Sequence, residues 1–212
     1  EASIDLFQSL CRLGNAANPH IASQVEKIEQ ALHDGTMDLE ALFTGGGQDQ
    51  AIEQVAADRE LDKQVLSFLV RSSTRPSIEA GREQLRGELD PETWRKTRCP
   101  VCGSLPTLSL LRGDGGMRYS LCSCCGYQWR IDRLSCSVCG SKEQGALHYF
   151  CGEGEDACRI DLCDTCHHYI KTIDYRNLEE SDPSLEDLAT LHLDVLAVQK
   201  GYRRAVPNPW IA

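Results

Sequence analysis

The sequence predicts a multidomain α+β chain: an N-terminal α-helical domain, two tandem cysteine-rich β modules of rubredoxin-like or zinc-ribbon type, and a C-terminal helix. Three observations predict it. Apolar residues recur at helical spacing within the first 95 positions. From Thr97 to Asp174 the texture changes to short β-prone runs, glycine turns and 11 of the chain's 12 cysteines. After Ser181 one more apolar-rich helical pattern follows. The expected boundaries are 1–95, 96–133, 134–180 and 181–212.

In the first domain, Asn18-Pro19 is a good cap and first-turn pair, and Ile21, Val25, Ile28 and Leu32 then recur on one helical face. A second, longer apolar pattern runs through Ile52, Val55, Ala56, Val65, Leu66 and Leu69. Gly45-Gly46-Gly47 breaks the chain between the two. Asp90-Pro91 starts a short helical turn carrying Trp94. These stripes predict a helical core, and the acidic residues between them predict a solvated outer face. Residues 1–95 hold 9 basic and 17 acidic groups, most of the net charge of −10.

The β region opens with a hairpin, Leu108–Leu111 and Arg118–Leu121 around Gly113-Asp114-Gly115-Gly116. A second hairpin pairs Leu147–Phe150 with Arg159–Leu162. Each leads into a Cys-x-x-Cys turn. Four such turns occur: Cys99/Cys102, Cys122/Cys125, Cys136/Cys139 and Cys163/Cys166. A turn of this spacing sets two thiolates on one side of a tight loop, as two corners of a tetrahedron around a soft metal ion.

An internal duplication decides how the turns combine. Cys99-Pro100-Val101-Cys102-Gly103-Ser104 matches Cys136-Ser137-Val138-Cys139-Gly140-Ser141, and Arg118–Cys122 matches Arg159–Cys163, with offsets of 37 and 41 residues. A duplicated module closes its own site. Site 1 is therefore Cys99, Cys102, Cys122 and Cys125; site 2 is Cys136, Cys139, Cys163 and Cys166. The gaps between paired turns, 19 and 23 residues, suit zinc-ribbon or rubredoxin-like units. Two tetrathiolate-bound metal ions are expected, and spacing does not choose between iron and zinc.

Gly103, Gly126 and Gly140 follow three of the turns, where positive φ is often required. His167 stands at the fourth. His167 and His168 are expected as surface or supporting groups rather than ligands. The trailing Gly126 selects Cys125, not Cys124, as the partner of Cys122. Cys11, Cys124, Cys151 and Cys158 are left over, and buried, inert thiols are expected at all four.

Evenly paired cysteines without an opening apolar segment favour metal binding in a reducing cytoplasm over a secreted disulfide framework. The sequence begins at Glu1 rather than Met, so part of the natural N-terminus is expected to be missing. No apolar run is long enough for membrane insertion. Residues 96–180 balance 10 basic against 11 acidic groups, which disfavours nucleic acid as a partner. Asp182 and Pro183 suit the cap and first turn of the last helix. Leu185, Leu188, Leu191, Val195, Leu196 and Val198 cover much of its circumference, so it is expected to be largely buried. The tail Pro207–Trp210 is expected to be extended.

Residues beyond the cysteines carry a family resemblance. The quoted Cys99–Ser104 turn, Leu121–Trp129, Cys136–Cys139, Leu147-His148-Tyr149, Cys163–Lys171, Asp187–Leu191 with Leu193-Asp194, and Gly201–Arg204 with Asn208-Pro209 resemble the FdhE-type formate dehydrogenase accessory proteins. The likeness covers residues 97–212; residues 1–95 match only in helical character. It implies a cytoplasmic maturation factor, not an enzyme. Such a factor binds the catalytic subunit of a molybdenum- or tungsten-dependent formate dehydrogenase before its assembly is complete. It also implies rubredoxin-like modules able to hold iron.

The alternative is a rubredoxin-like electron-transfer protein using two tetrathiolate iron sites. An independent catalytic site finds no support: no phosphate loop, nucleophile elbow or His-Glu-x-x-His occurs. Sulfur delivery by Cys124 or Cys158 is a minor alternative. For a partner surface the candidates are Tyr127, Trp129, Tyr149, Tyr169 and Trp210, each expected singly to fill a core. The sequence leaves homo-oligomer formation open.

Overall fold

The computed structural model describes residues 1–44, 49–176, 178–179 and 181–207. The triple glycine and the Asn208–Trp210 tail lie outside the described residues. The chain divides into two compact units, Glu1–Glu83 and Gln84–Ala212.

The first unit is helical: α1 (Ala2–Gly14), α2 (Pro19–His33), α3 (Leu39–Thr44), α4 (Asp49–Asp58) and α5 (Lys63–Gln84). The Asn18 side chain accepts the Ile21 N–H at 3.0 Å, and Pro19 occupies the first turn of α2, where a missing N–H costs nothing. Phe7, Cys11, Val25, Ile28, Ile52, Leu66 and Val70 are buried in one core. Helix α1 enters it through Phe7 and Cys11, a stripe the sequence reading did not single out. The long pattern from Ile52 to Leu69 is divided between two helices, α4 and α5. Glu60 adopts a left-handed φ of 50°, and Asp62 then restarts the chain by accepting the Gln64 and Val65 N–H groups.

The second unit is built on one seven-stranded sheet. Its strands are β1 (Pro106–Arg112), β2 (Met117–Cys122), β3 (Gln128–Arg130), β4 (Leu147–Cys151), β5 (Cys158–Cys163), β6 (His168–Asp174) and β7 (Arg203–Arg204). Both predicted hairpins are present, as β1–β2 and β4–β5. Each is extended by a third strand after the second Cys-x-x-Cys turn, so each repeat is a three-stranded antiparallel meander.

The two meanders join edge to edge. Strand β1 pairs in parallel with β6, Leu108 beside Lys171 through Leu111 beside Asp174. Strand β7 occupies the remaining length of the same β6 edge, at His168 and Tyr169. The cysteine modules therefore share one hydrogen-bonded sheet. Arg118 tightens the junction from the interior: it donates to Ser135 O and to Asp161 Oδ2, both at 2.9 Å, while the Thr172 hydroxyl donates to the same Asp161 oxygen at 2.6 Å.

The C-terminal segment departs from expectation in two ways. It forms two helices, α6 (Pro183–Ala189) and α7 (Leu191–Gln199), broken at Thr190. Two hydrogen bonds account for the break. Lys171 Nζ donates to the Asp187 carbonyl at 2.9 Å, the acceptor that the Leu191 N–H would use in an unbroken helix, and the Thr190 hydroxyl takes the Glu186 carbonyl at 2.7 Å. The segment is also far from buried all round. Leu193, Asp194 and Ala197 face the sheet, whereas Leu185, Leu188, Val195, Leu196 and Val198 are exposed.

Candidate metal centres

Two of the Cys-x-x-Cys turns link one strand to the next, so the ladder fixes their backbone. Cys122 and Cys163 close β2 and β5, while Cys125 and Cys166 lead into β3 and β6. The turns before β1 and β4 repeat one geometry. Cys99 N–H donates to Ser104 O at 2.9 Å and Cys136 N–H to Ser141 O at 2.8 Å; Gly103 and Gly140 return hydrogen bonds to the Cys99 and Cys136 carbonyls. Backbone amides aim at sulfur: Val101 N–H at Cys99 Sγ, Cys124 N–H at Cys122 Sγ and Val138 N–H at Cys136 Sγ, each at 3.4 Å. Such donors stabilise thiolate charge without supplying a cation.

The duplicated sequence and the folded chain group the same sulfurs. Cys99, Cys102, Cys122 and Cys125 form one cluster, and Cys136, Cys139, Cys163 and Cys166 the other, each with all ligand atoms within 4.8 Å of one another. In the first, Sγ–Sγ separations are 3.3 Å (Cys102–Cys122), 3.6 Å (Cys99–Cys125) and 3.7 Å (Cys102–Cys125). In the second, Cys136–Cys166 and Cys139–Cys163 are both 3.8 Å apart. A tetrahedron with metal–sulfur bonds of about 2.3 Å has edges of about 3.8 Å.

The donor set therefore fits a soft tetrahedral ion in both clusters. No disulfide links any of the twelve cysteines. Contact with Cys102 pushes the Cys99 thiol far above its ordinary range, and burial does the same to Cys166. Such crowded sulfurs cannot all ionise without a positive centre among them. No histidine enters either cluster.

His167 takes the place of the trailing glycines in conformation as well as in sequence. Gly103, Gly126 and Gly140 have φ of 74°, 67° and 78°; His167 has 54°. Its N–H closes the turn on Cys163 O at 2.8 Å. A non-glycine residue there costs about 1–2 kcal/mol, partly offset by glycine's own entropy loss. His167→Gly is expected to leave the stability of this unit within about 1 kcal/mol of wild type, and His167→Val to lower it by about 1–2 kcal/mol. Urea unfolding checks both; a valine tolerated as well as glycine contradicts the strain.

Of the four remaining thiols, Cys11 and Cys158 are buried as expected. Burial, then the charge of Glu29, lifts the Cys11 thiol to about 11. Cys124 is only partly buried and Cys151 is exposed, so the expectation fails for these two. Each lies on a cysteine-turn or strand position whose alternate faces differ in burial, which composition does not reveal. Among the aromatics, Trp129 and Tyr169 fill the interior and Tyr127 is half-buried, whereas Tyr149 is exposed. Trp210 lies outside the described residues.

The sequence reading missed a buried charge network beside the second centre. Lys171 and Asp194 are both 0% exposed. Lys171 Nζ lies 2.6 Å from Asp194 Oδ2 and 2.8 Å from Asp187 Oδ1. Arg204 pairs with the same two carboxylates, and Tyr169 donates to Asp194 at 2.9 Å. The network clamps α6, α7 and β7 to β6. The repeat carried a signal for it: Lys171 stands where Arg130 stands in the first module, at the 41-residue offset.

Comparison with known proteins places relatives alongside this architecture. Residues 98–133 match the family model described as FdhE, central domain, and residues 134–211 match FdhE, C-terminal domain. A protein FdhE homolog of Aquifex aeolicus is 34% identical over 147 residues, covering 68% of this chain and 51% of that protein. Protein FdhE of Escherichia coli K12 is 38% identical over 120 residues, 53% of this chain and 37% of that protein. The chain thus spans about half the length of the first relative and less of the second. The crystal structure of the FdhE protein from Pseudomonas aeruginosa superposes with a TM-score of 0.70 over 98% of this chain and 69% of that one; at 24% identity the likeness is one of fold.

Proposed function

This chain belongs to the FdhE family, and from that premise we propose that it is a cytoplasmic, non-enzymatic accessory factor that binds the immature catalytic subunit of a molybdenum- or tungsten-dependent formate dehydrogenase. The observation that carries the reading is the coincidence of both family matches with two closed four-sulfur clusters. Four protein ligands per ion leave no open position for substrate, which suits scaffolding better than catalysis.

Cys99, Cys102, Cys122 and Cys125 hold one iron or zinc ion, and Cys136, Cys139, Cys163 and Cys166 hold the other. Residues 96–133 and 134–180 are then two metal-closed modules. No helix among the described residues is long and apolar enough to cross a membrane. Metal-replete chain, tagged and recovered from cells expressing the dehydrogenase, is expected to carry the catalytic subunit with it. Recovery of the chain without that subunit removes the proposal.

The second reading, electron transfer, draws on the exposure of Cys139 at the second centre. A tetrathiolate iron changes oxidation state without losing a ligand. Full complementation of function by a zinc-substituted chain rules this reading out.

A further inference from the structure

The near-zero charge of residues 96–180 conceals a division. Residues 96–133 carry 6 basic and 2 acidic groups, a net +4; residues 134–180 carry 4 and 9, a net −5. Half of the first segment's basic residues, Arg118, Arg130 and Arg133, line two neighbouring clefts of about 290 and 220 Å³ that share Arg118 and Arg133. Together they are lined by Arg95, Arg118, Arg130, Arg133 and Arg159, against only Asp132 and Asp161 as carboxylates.

Three of these arginines spend charge inside the molecule: Arg118 and Arg159 on Asp161, and Arg130 on Glu92. Asp132 is engaged by Lys142. Arg95 and Arg133 hydrogen-bond to backbone carbonyls, Trp94 O and Gly115 O, and make no ion pair among the described residues, although Arg95 lies close enough to Glu92 and Asp132 to act on their charge. Arg118 is almost fully buried, and its Nε has no hydrogen-bond partner. The rim is apolar as well as cationic. Leu134 is 65% and Tyr149 66% exposed, and the Arg159 guanidinium lies 5.0 Å from the Tyr149 ring centroid.

We propose that the neighbouring clefts around Arg118 and Arg133 dock a short acidic peptide segment carrying an aliphatic or aromatic side chain, presented by the client subunit. The proposal rests on the accessory reading and names the chemistry of its contact. Guanidinium pairs suit carboxylates in two-point hydrogen bonding. Leu134 and Tyr149 supply the apolar anchor that a specific interface needs. A nucleic-acid backbone is a poorer occupant, because its charge continues along its length onto the neighbouring −5 module.

The test uses the full metal-loaded chain and three probes: a labelled peptide of Glu, Leu and Tyr, the same peptide with Lys for Glu, and inorganic phosphate. The acidic peptide is expected to bind, to weaken with salt, and to lose about tenfold or more in affinity in the R95E/R133E variant. Leu134→Ser is expected to weaken it with little change in salt dependence. Equal binding of the Lys peptide, or unchanged affinity in R95E/R133E, overturns the proposal. So does displacement of the acidic peptide by phosphate at comparable concentration, which marks a small-anion site.

Co-purification separates this from the accessory role itself. R95E/R133E chain with unchanged metal content is expected to lose the catalytic subunit. Its retention overturns the docking assignment and leaves the accessory role standing. Wild-type chain that recovers no subunit removes the accessory role, and with it the client as the source of the peptide.

Discussion

Removing both metal ions is expected to unfold the Gln84–Ala212 unit while the helices of Glu1–Glu83 persist. Each cysteine module alone is about 40 residues, too small to be held by apolar burial, and the two share one core around Leu108, Ile160, Ile173 and Leu193. A structural tetrathiolate site contributes on the order of 10 kcal/mol, comparable to the whole stability of an ordinary domain. The first unit has its own core, centred on Phe7, Val25, Ile28 and Leu66, and contains no part of either cluster.

The shared sheet extends this expectation. Strand β1 pairs with β6, and Arg118 reaches across to Asp161. Emptying site 1 alone, through Cys99→Ser with Cys102→Ser, is therefore expected to accelerate amide exchange in β5 and β6 as well as in β1 and β2. Hydrogen exchange reads each strand separately. Native-like protection throughout β4–β6 in that variant contradicts the coupling, and unchanged β-sheet circular dichroism after exhaustive chelation contradicts the role of metal altogether.

Lys171→Met is expected to cost this unit about 3–5 kcal/mol, the range for removing one member of a buried ion pair. The lysine is fully buried between Asp187 and Asp194 and also holds the Asp187 carbonyl at the helix break. Without it, fully buried Asp194 and partly buried Asp187 lose a cation and keep their pairs with Arg204. Losing one partner is worse than never having had the pair, because the surviving charge keeps its desolvation cost. Methionine keeps much of the stem's apolar packing, so the loss reports charge rather than volume. Urea unfolding followed by Trp129 fluorescence measures it. A change below about 1 kcal/mol shows that the network is worth little more than a surface pair.

Several features were legible because their physics is local. Asn18-Pro19 caps α2 through a single side-chain oxygen. Alternating apolar residues with a glycine turn specify the β1–β2 hairpin, and Cys-x-x-Cys with a trailing glycine specifies each knuckle. The repeat extended this reach by showing which distant cysteines belong together, and the fold brings those quartets of sulfurs into contact. His167 was legible as an oddity, and its left-handed backbone explains it.

The remainder depends on contacts between distant segments. Nothing near Leu108 or Lys171 shows that their strands run side by side in parallel. The α6–α7 break depends on a lysine from a strand as well as on the segment's own Thr190. Leu185 and Val198 count as apolar wherever they point, so composition overstated the burial of this segment. The charge balance over residues 96–180 averaged two modules of opposite sign and hid the arginine-lined clefts.

In the proposed function, two closed tetrathiolate ions shape the surface this chain offers to a formate dehydrogenase subunit. The most direct test is native mass spectrometry of the full chain, isolated with the catalytic subunit bound and then released in the spectrometer. A released chain carrying two metal ions is the expected result. A subunit-bound chain with no metal, or with cluster cysteines joined as disulfides, contradicts it.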